Sequence, residues 1–289
     1  MTLFDQSFAD LLAIKSKRNP DNYNIVFFGD SWVQRSIGSD VRFVSNDIFE
    51  VAMQRAMDFN PLLFAYGGDG AFTGTEDNLN FLVEKIKSLN KDKNGDSVPF
   101  FMVPGNHDAA RLGTTLSLDN YKKIIGPEDI HWSIDLPEFR LRLVGLNSLY
   151  HYIYNEYGLT ENELGFLVNS LLDVKCSTNV FVSMHVPPRE PKLDWVGDDA
   201  FPNGRGRRDF YKIVRNRVSR VLLGHIHDFQ LAEAHDVRFI LSGGGGATLN
   251  VGARFHIVVI NIRSHGNHSV ITSQFVPVGW HRATEPVSP

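Results

Sequence analysis

Short apolar runs that stop at small or polar residues recur along the chain. Asn24 to Phe28 (NIVFF) closes at Gly29 and Asp30, and Leu62 to Gly68 (LLFAYGG) ends in Asp69. Val98 to Val103 (VPFFMV) breaks at Pro104 and Gly105, just before Asn106, His107 and Asp108. Asn179 to Met184 (NVFVSM) ends in His185, and Val218 to Leu223 ends in Gly224, His225, Ile226 and His227. Apolar runs of this length, without alternation, read as strands buried on both faces. Open α/β sheets collect their chemistry beyond the carboxyl ends of strands, so such a run ending in ligand-type residues is a site candidate by position as well as by type. Taken singly, each ending is equally well an ordinary turn or a helix cap. Their recurrence argues for a shared purpose.

Between these runs the period changes. Helical spacing predicts Asn46 to Asn60, stopped by Pro61, and Glu76 to Leu89, with Leu79, Leu82, Val83, Ile86 and Leu89 on one face. Thr160 to Leu172 opens with a capping box, Thr160 and Glu163, and carries Leu164, Leu167, Val168 and Leu171 towards a core. Residues 1–22 read as a short amphipathic helix, and Tyr121 to Ile125 as another within a looser stretch from 111 to 130. His131 to Asp135 and Arg140 to Leu146 alternate like the strands of a hairpin, and FILSGGGG, FHIVVINI and SVITSQFV make the C-terminal part largely β. Residues 187–210, rich in Pro, Gly, Asp and Arg, are expected to form a surface loop near the site. No repeat or linker divides the chain, so residues 1–289 are expected to form one domain.

Composition narrows the function more than the fold. With 29 basic and 33 acidic side chains, the formal charge is −4 and the pI about 6.2, which argues against a nucleic-acid binder or a membrane-surface protein. Cys176 is the one cysteine, so no intrachain disulfide can form, as suits a reducing compartment. The N-terminal segment places its basic cluster after its apolar part, the reverse of a secretory signal, and no uncharged run approaches the ~20 residues a bilayer needs. A soluble, cytoplasmic protein is expected.

Collected, the strand ends supply Asp30, Asp69, Asn106, His185, His225 and His227. Carboxylate, amide oxygen and imidazole together suit Mn, Fe or Zn, whereas an all-oxygen set would suit Mg or Ca. Six ligands exceed what one catalytic ion with open positions needs and fit two divalent ions sharing a carboxylate. The metallo-β-lactamase pattern HxHxDH is excluded, because Asp228, Phe229 and Gln230 follow His227. The set GDSW (29–32), GGDG (67–70), GNHD (105–108), MHVPP (184–188) and GHIH (224–227) resembles the calcineurin-like metallophosphoesterase family in order and spacing. LNS (146–148) and the GGGG run (243–246) are similar to that family as well.

The resemblance implies a four-layer αββα sandwich, two mixed β-sheets flanked by helices. It implies Asp30, Asp69 and His227 on a first metal, and Asp69, Asn106, His185 and His225 on a second. It also implies hydrolysis of a small phosphorylated substrate by a metal-bridging hydroxide, with His107 as general acid. The first block departs from the family's DxH: Trp32 stands where a histidine is usual, and indole offers no lone pair. Purple acid phosphatases, which also lack that histidine, compensate with a tyrosine where this chain has Phe72. A weakened first site, and with it a one-metal enzyme or a catalytically degenerate scaffold, therefore stays open. GDGAFTG lacks the second Asp and the Arg of the Ser/Thr protein phosphatases, while HVPP is similar to the cyclic-nucleotide phosphodiesterase branch and tilts the expectation towards diesters. The basic stretch from Arg189 to Arg220 (Arg189, Arg205, Arg207, Arg208, Lys212, Arg215, Arg217 and Arg220) reads either as a clamp for an anion or as a solvated helix face.

Overall fold

The computed structural model describes residues 1–35, 46–152, 156–195 and 200–279. In chain order the elements are α1 (Leu3–Ile14), β1 (Asn22–Phe28), α2 (Asn46–Met57), β2 (Leu63–Tyr66), α3 (Glu76–Leu89), β3 (Phe100–Met102), β4 (Ala110–Leu112), β5 (Thr115–Ser117) and α4 (Asp119–Ile124). They continue with β6 (Trp132–Leu136), β7 (Leu141–Gly145), α5 (Glu161–Ser170), β8 (Asn179–Met184), α6 (Arg207–Val214), β9 (Arg220–Leu223), β10 (Phe229–Ala234), β11 (Val237–Ser242), β12 (His256–His265) and β13 (His268–Pro277).

Two mixed sheets result, one ordered β13-β12-β1-β2-β3 and the other β10-β11-β9-β8-β7-β6. Strands β1, β2 and β3 run parallel, as do β7, β8, β9 and β11, and antiparallel partners lie towards the edges. Side chains alternate across β1, and this alternation sets the layers. Ile25 and Phe27 join Leu63, Phe101, Leu143, Phe181, Leu222, Ile240 and Val258 in a core between the sheets. Val26 and Phe28 point the other way, where the Phe28 ring meets Phe49 of α2 at 6.2 Å. Each of these side chains, removed from water, contributes about 1.5–3 kcal/mol. With α2 and α3 on one flank and α5 and α6 on the other, the architecture is the expected αββα sandwich.

α1 starts with a reciprocal capping box between Thr2 and Asp5 and packs along β3. Its Ser7 Oγ donates to the Phe100 carbonyl (2.8 Å) and accepts from the Phe100 amide (3.1 Å). The helix stops at Ile14, followed by one 3₁₀ turn through Lys17, and does not continue to residue 22. Asn19 and Pro20 cannot extend it, and β1 begins at Asn22.

The described positions within 187–210 also differ from a plain surface loop. Trp195 and Phe201 are fully buried, Glu190 nearly so, and α6 already begins at Arg207. These apolar anchors tie the segment to the body. β10 and the β4–β5 hairpin were not foreseen: β10 is a half-exposed edge strand whose FQLAEA sequence carries little strand signal.

Candidate metal centre

The carboxyl ends of β1, β2, β3, β8 and β9 meet at one cleft, and the turns that leave them are tightly made. Asp30, Trp32, Asp69 and His225 have φ of 60°, 51°, 54° and 70°. The left-handed region costs a non-glycine residue of order 1–3 kcal/mol, so the surroundings must impose it. Asp30 N donates to Gly68 O (2.9 Å), and Ser31 N to Asp69 O (2.9 Å), locking the first turn to the second. The buried Asp108 carboxylate locks the second to the third, accepting from Asp69 N (2.7 Å), Gly105 N (2.9 Å) and Ala71 N (2.9 Å). Burial, reinforced by the charge of Asp69, pushes the Asp108 carboxyl up to about 7 against the pull of those amides. Gly105 is required where it stands, because a Cβ there would collide with Asp69 Oδ1.

His185 is fully buried and its Nδ1 lies 2.7 Å from the Gly67 carbonyl. A carbonyl only accepts, so Nδ1 keeps its proton, and Nε2 is the nitrogen whose lone pair would face a cation once its own proton is displaced. That atom lies 3.2 Å from Asn106 Oδ1, 3.2 Å from His225 Nδ1 and 3.4 Å from Asp69 Oδ1. Asp69, His185 and His225 present ligand atoms all within 4.8 Å of one another. Acceptor-type atoms gathered this closely call for a cation between them, and imidazole, carboxylate and amide oxygen are the donor types a transition-metal ion takes. The electrostatics agree. Burial opposes protonation of His185, yet the charges of Asp69 and Asp30 prevail and raise its pKa to about 9. Burial likewise opposes ionisation of Asp69, but the neighbouring His185, His107 and His225 hold its carboxyl well below the usual range.

The other side of the cleft is arranged differently. Both Asp30 oxygens accept from the His225 amide (3.2 and 3.0 Å), and Oδ1 lies 3.5 Å from His227 Nε2. His227 gives its Nδ1 proton to the Thr248 carbonyl. Burial lowers the His227 pKa, but the hydrogen bond and charge of Asp30 outweigh it and raise the pKa overall. The Trp32 indole Nε1 donates to Asp69 Oδ2 at 3.3 Å, and its ring lies 4.9 Å from the His227 ring and 4.5 Å from the His107 ring. Phe72 closes against Trp32 at 5.7 Å. Among the described residues, Asp30 and His227 join no group of three ligand-type side chains. On this side it is the indole N–H, which donates, that faces Asp69 Oδ2.

His107 lies beside the four-residue set. Its amide donates to Asp69 Oδ1 (2.8 Å) and its Nδ1 to the Phe72 carbonyl (2.8 Å), which fixes the ring between Trp32 and Phe72. Asp30, Asp69 and His185 are buried, whereas Asn106, His107, His225 and His227 are half-buried and form the mouth.

Sequence reasoning assigned no role to Asp108, although its place in GNHD was a signal. It also read Glu163 as half of a capping box. Thr160 does cap the helix, but the Glu163 carboxylate turns inward to the Asn147 amide (3.0 Å) and His131 Nδ1 (3.0 Å). Beside Asn147, Ser148 Oγ accepts from Val186 N (2.9 Å), bracing the residue after His185. In the basic stretch Lys212 pairs with Asp209 and Arg215 with Asp236 in the open, as a solvated face would, whereas Arg207 pairs with the buried Glu190 and Arg205 with Glu156.

Five strand ends of two stacked mixed sheets, bearing this donor set, define a phosphoesterase-type cleft. The chain belongs to the calcineurin-like phosphoesterase family, whose model matches residues 5–229. A protein of Arcobacter nitrofigilis described as "Probable glycerophosphodiester phosphodiesterase GpdQ" is 28% identical over 171 residues, 58% of this chain and 57% of that relative's length. The purple acid phosphatase PPD1 of yellow lupin superposes with a TM-score of 0.63 at 15% identity, over 88% of this chain and 51% of that one. GAP50, the anchor in the inner membrane complex of Plasmodium, gives 0.58 at 13% identity, over 89% and 85%. The last two share the fold with this chain, and a fold that serves both a phosphatase and an anchor leaves function to be argued from the site. No helix among the described residues is long and apolar enough to cross a membrane.

Proposed function

We propose that the protein hydrolyses a small phosphoester, preferring diesters, with a divalent Mn, Fe or Zn ion held by Asp69, Asn106, His185 and His225. The convergence of these four donors, with the His185 tautomer preset by Gly67, carries the reading. When bound, such an ion acidifies water and offsets the charge gathering on the phosphoryl oxygens. His107 is the general acid: its Nδ1 proton is committed to the Phe72 carbonyl, so the acid is the imidazolium form, which carries a second proton at Nε2 and gives that one to the departing oxygen. Asp108 keeps Asp69 and the Gly105 turn in register, and Ser148 does the same behind His185. β12 and β13 lie beyond the family match yet complete the sheet that carries Asp30 and Asp69, which supports one domain for the whole chain. The diester preference draws support from the HVPP segment and from the glycerophosphodiester phosphodiesterase description of the Arcobacter relative.

The test is hydrolysis of paired aryl phosphate mono- and diesters by protein reconstituted with Mn, Fe or Zn. Faster turnover of the diester is expected, and His107→Ala should lower it about 10²-fold without changing metal content. Hydrolysis of neither ester by any of the three metal forms would instead favour the scaffold reading, for which Trp32 speaks.

A further inference from the structure

Resting on that reading, we propose that the centre holds a single ion, and that the Trp32 indole N–H occupies the place at Asp69 Oδ2 that a second ion would take. Among the described residues, Asp69 is the carboxylate positioned to serve both sides. Its Oδ1 faces His185 and accepts from the His107 amide, while its Oδ2 accepts from Trp32 Nε1 at 3.3 Å. An indole N–H donates and cannot ligate, so it neutralises part of the oxygen's charge while excluding a cation from it. The ring also fills the volume beside His227, at 4.9 Å.

Nor is Trp32 a loose flap over this space. Its amide donates to Asp69 O (3.1 Å), and the next residue, Val33, donates to Gly70 O (2.7 Å) and bridges to Ala71. A bulky residue kept at φ 51° between such contacts is imposed by the fold. Asp30 is diverted as well, since both of its oxygens accept from the His225 amide and so anchor a residue of the four-ligand set. Of the three residues expected on a first metal, His227 alone has no such competing contact at its ligand atom among the described residues beyond the 3.5 Å approach to Asp30.

The count of bound ions decides. Protein loaded with Mn(II) and freed of excess ion is measured by inductively coupled plasma mass spectrometry and electron paramagnetic resonance, for wild type and Trp32→His. Wild type is expected to carry one equivalent with the spectrum of an isolated ion. Trp32→His is expected to carry two, with the exchange-coupled spectrum of ions that share a carboxylate. Two equivalents in wild type would overturn the single-ion assignment and leave the hydrolase standing. No bound ion in wild type after loading with Mn(II), Fe(II) or Zn(II) in turn would overturn both, and one equivalent in Trp32→His would remove Trp32 as the cause. Should Trp32→His fail to fold, the wild-type count and spectrum decide the single-ion assignment, and Trp32→Ala replaces it as the test of the cause.

Discussion

The two sides of the cleft draw on the same residue types and yet differ in readiness. On one side, His185, His225, Asn106 and Asp69 gather about the His185 ring nitrogen at 3.2–3.4 Å, and His185, His225 and Asp69 are each held by groups outside the set. On the other, Asp30 spends its oxygens on a backbone amide, and an aromatic ring stands next to His227. The difference teaches that a ligand-type side chain at a strand end is only a candidate. What makes it a ligand is that its donor atom is left free and aimed, which depends on a hydrogen bond made by the other end of the same group.

The largest effects should separate the sides outright. His185→Ala should empty the four-residue set and lower diester turnover by about 10³-fold, the loss of several kcal/mol of charge stabilisation. His227→Ala should keep its bound ion and lose about tenfold, as one charge-assisted contact of about 1.5 kcal/mol would. Equal loss of metal in the two variants would break the contrast. Asp108→Asn sharpens it, because an amide cannot accept at both ends the three N–H groups that a carboxylate accepts. Metal affinity measured by competition with a chelator should fall about 10- to 100-fold, with the fold kept by circular dichroism.

The smallest effect concerns the brace behind His185. His131 pairs with Glu163, and this hydrogen bond raises its pKa above 6.5 although burial opposes the shift. A group with a raised folded pKa contributes fully below its unfolded value and loses that contribution as pH climbs through the folded one. Wild type should therefore melt about 3 °C above His131→Gln at about pH 5, for a contribution of about 1 kcal/mol, and the gap should narrow by about pH 9. A gap independent of pH would show that His131 acts by packing alone.

How far the fold could be read depended on where the information lies. Glu76–Leu89 and Asn179–Met184 were read with their observed boundaries, since burial of a helix stripe or of both strand faces writes itself into local order. The six ligand candidates were legible for the same reason: apolar strands end where they begin. What stayed hidden was set by contacts between distant segments. The tautomer of His185 depends on a carbonyl in another turn, the inward swing of Glu163 on Asn147, and the role of Asp108 on amides at Asp69 and Ala71. Trp32 was legible as a missing ligand, but its donation to Asp69 required the two turns to be side by side.

Ser7 limits how far the first sheet can grow at its β3 edge. By answering both polar groups of Phe100, one hydroxyl ends the ladder with a side chain in place of an open template. Trimming α1 would bare a short sticky rim to any passing extended segment, so the N-terminal helix acts as a guard against strand-to-strand clumping as well as a piece of the core.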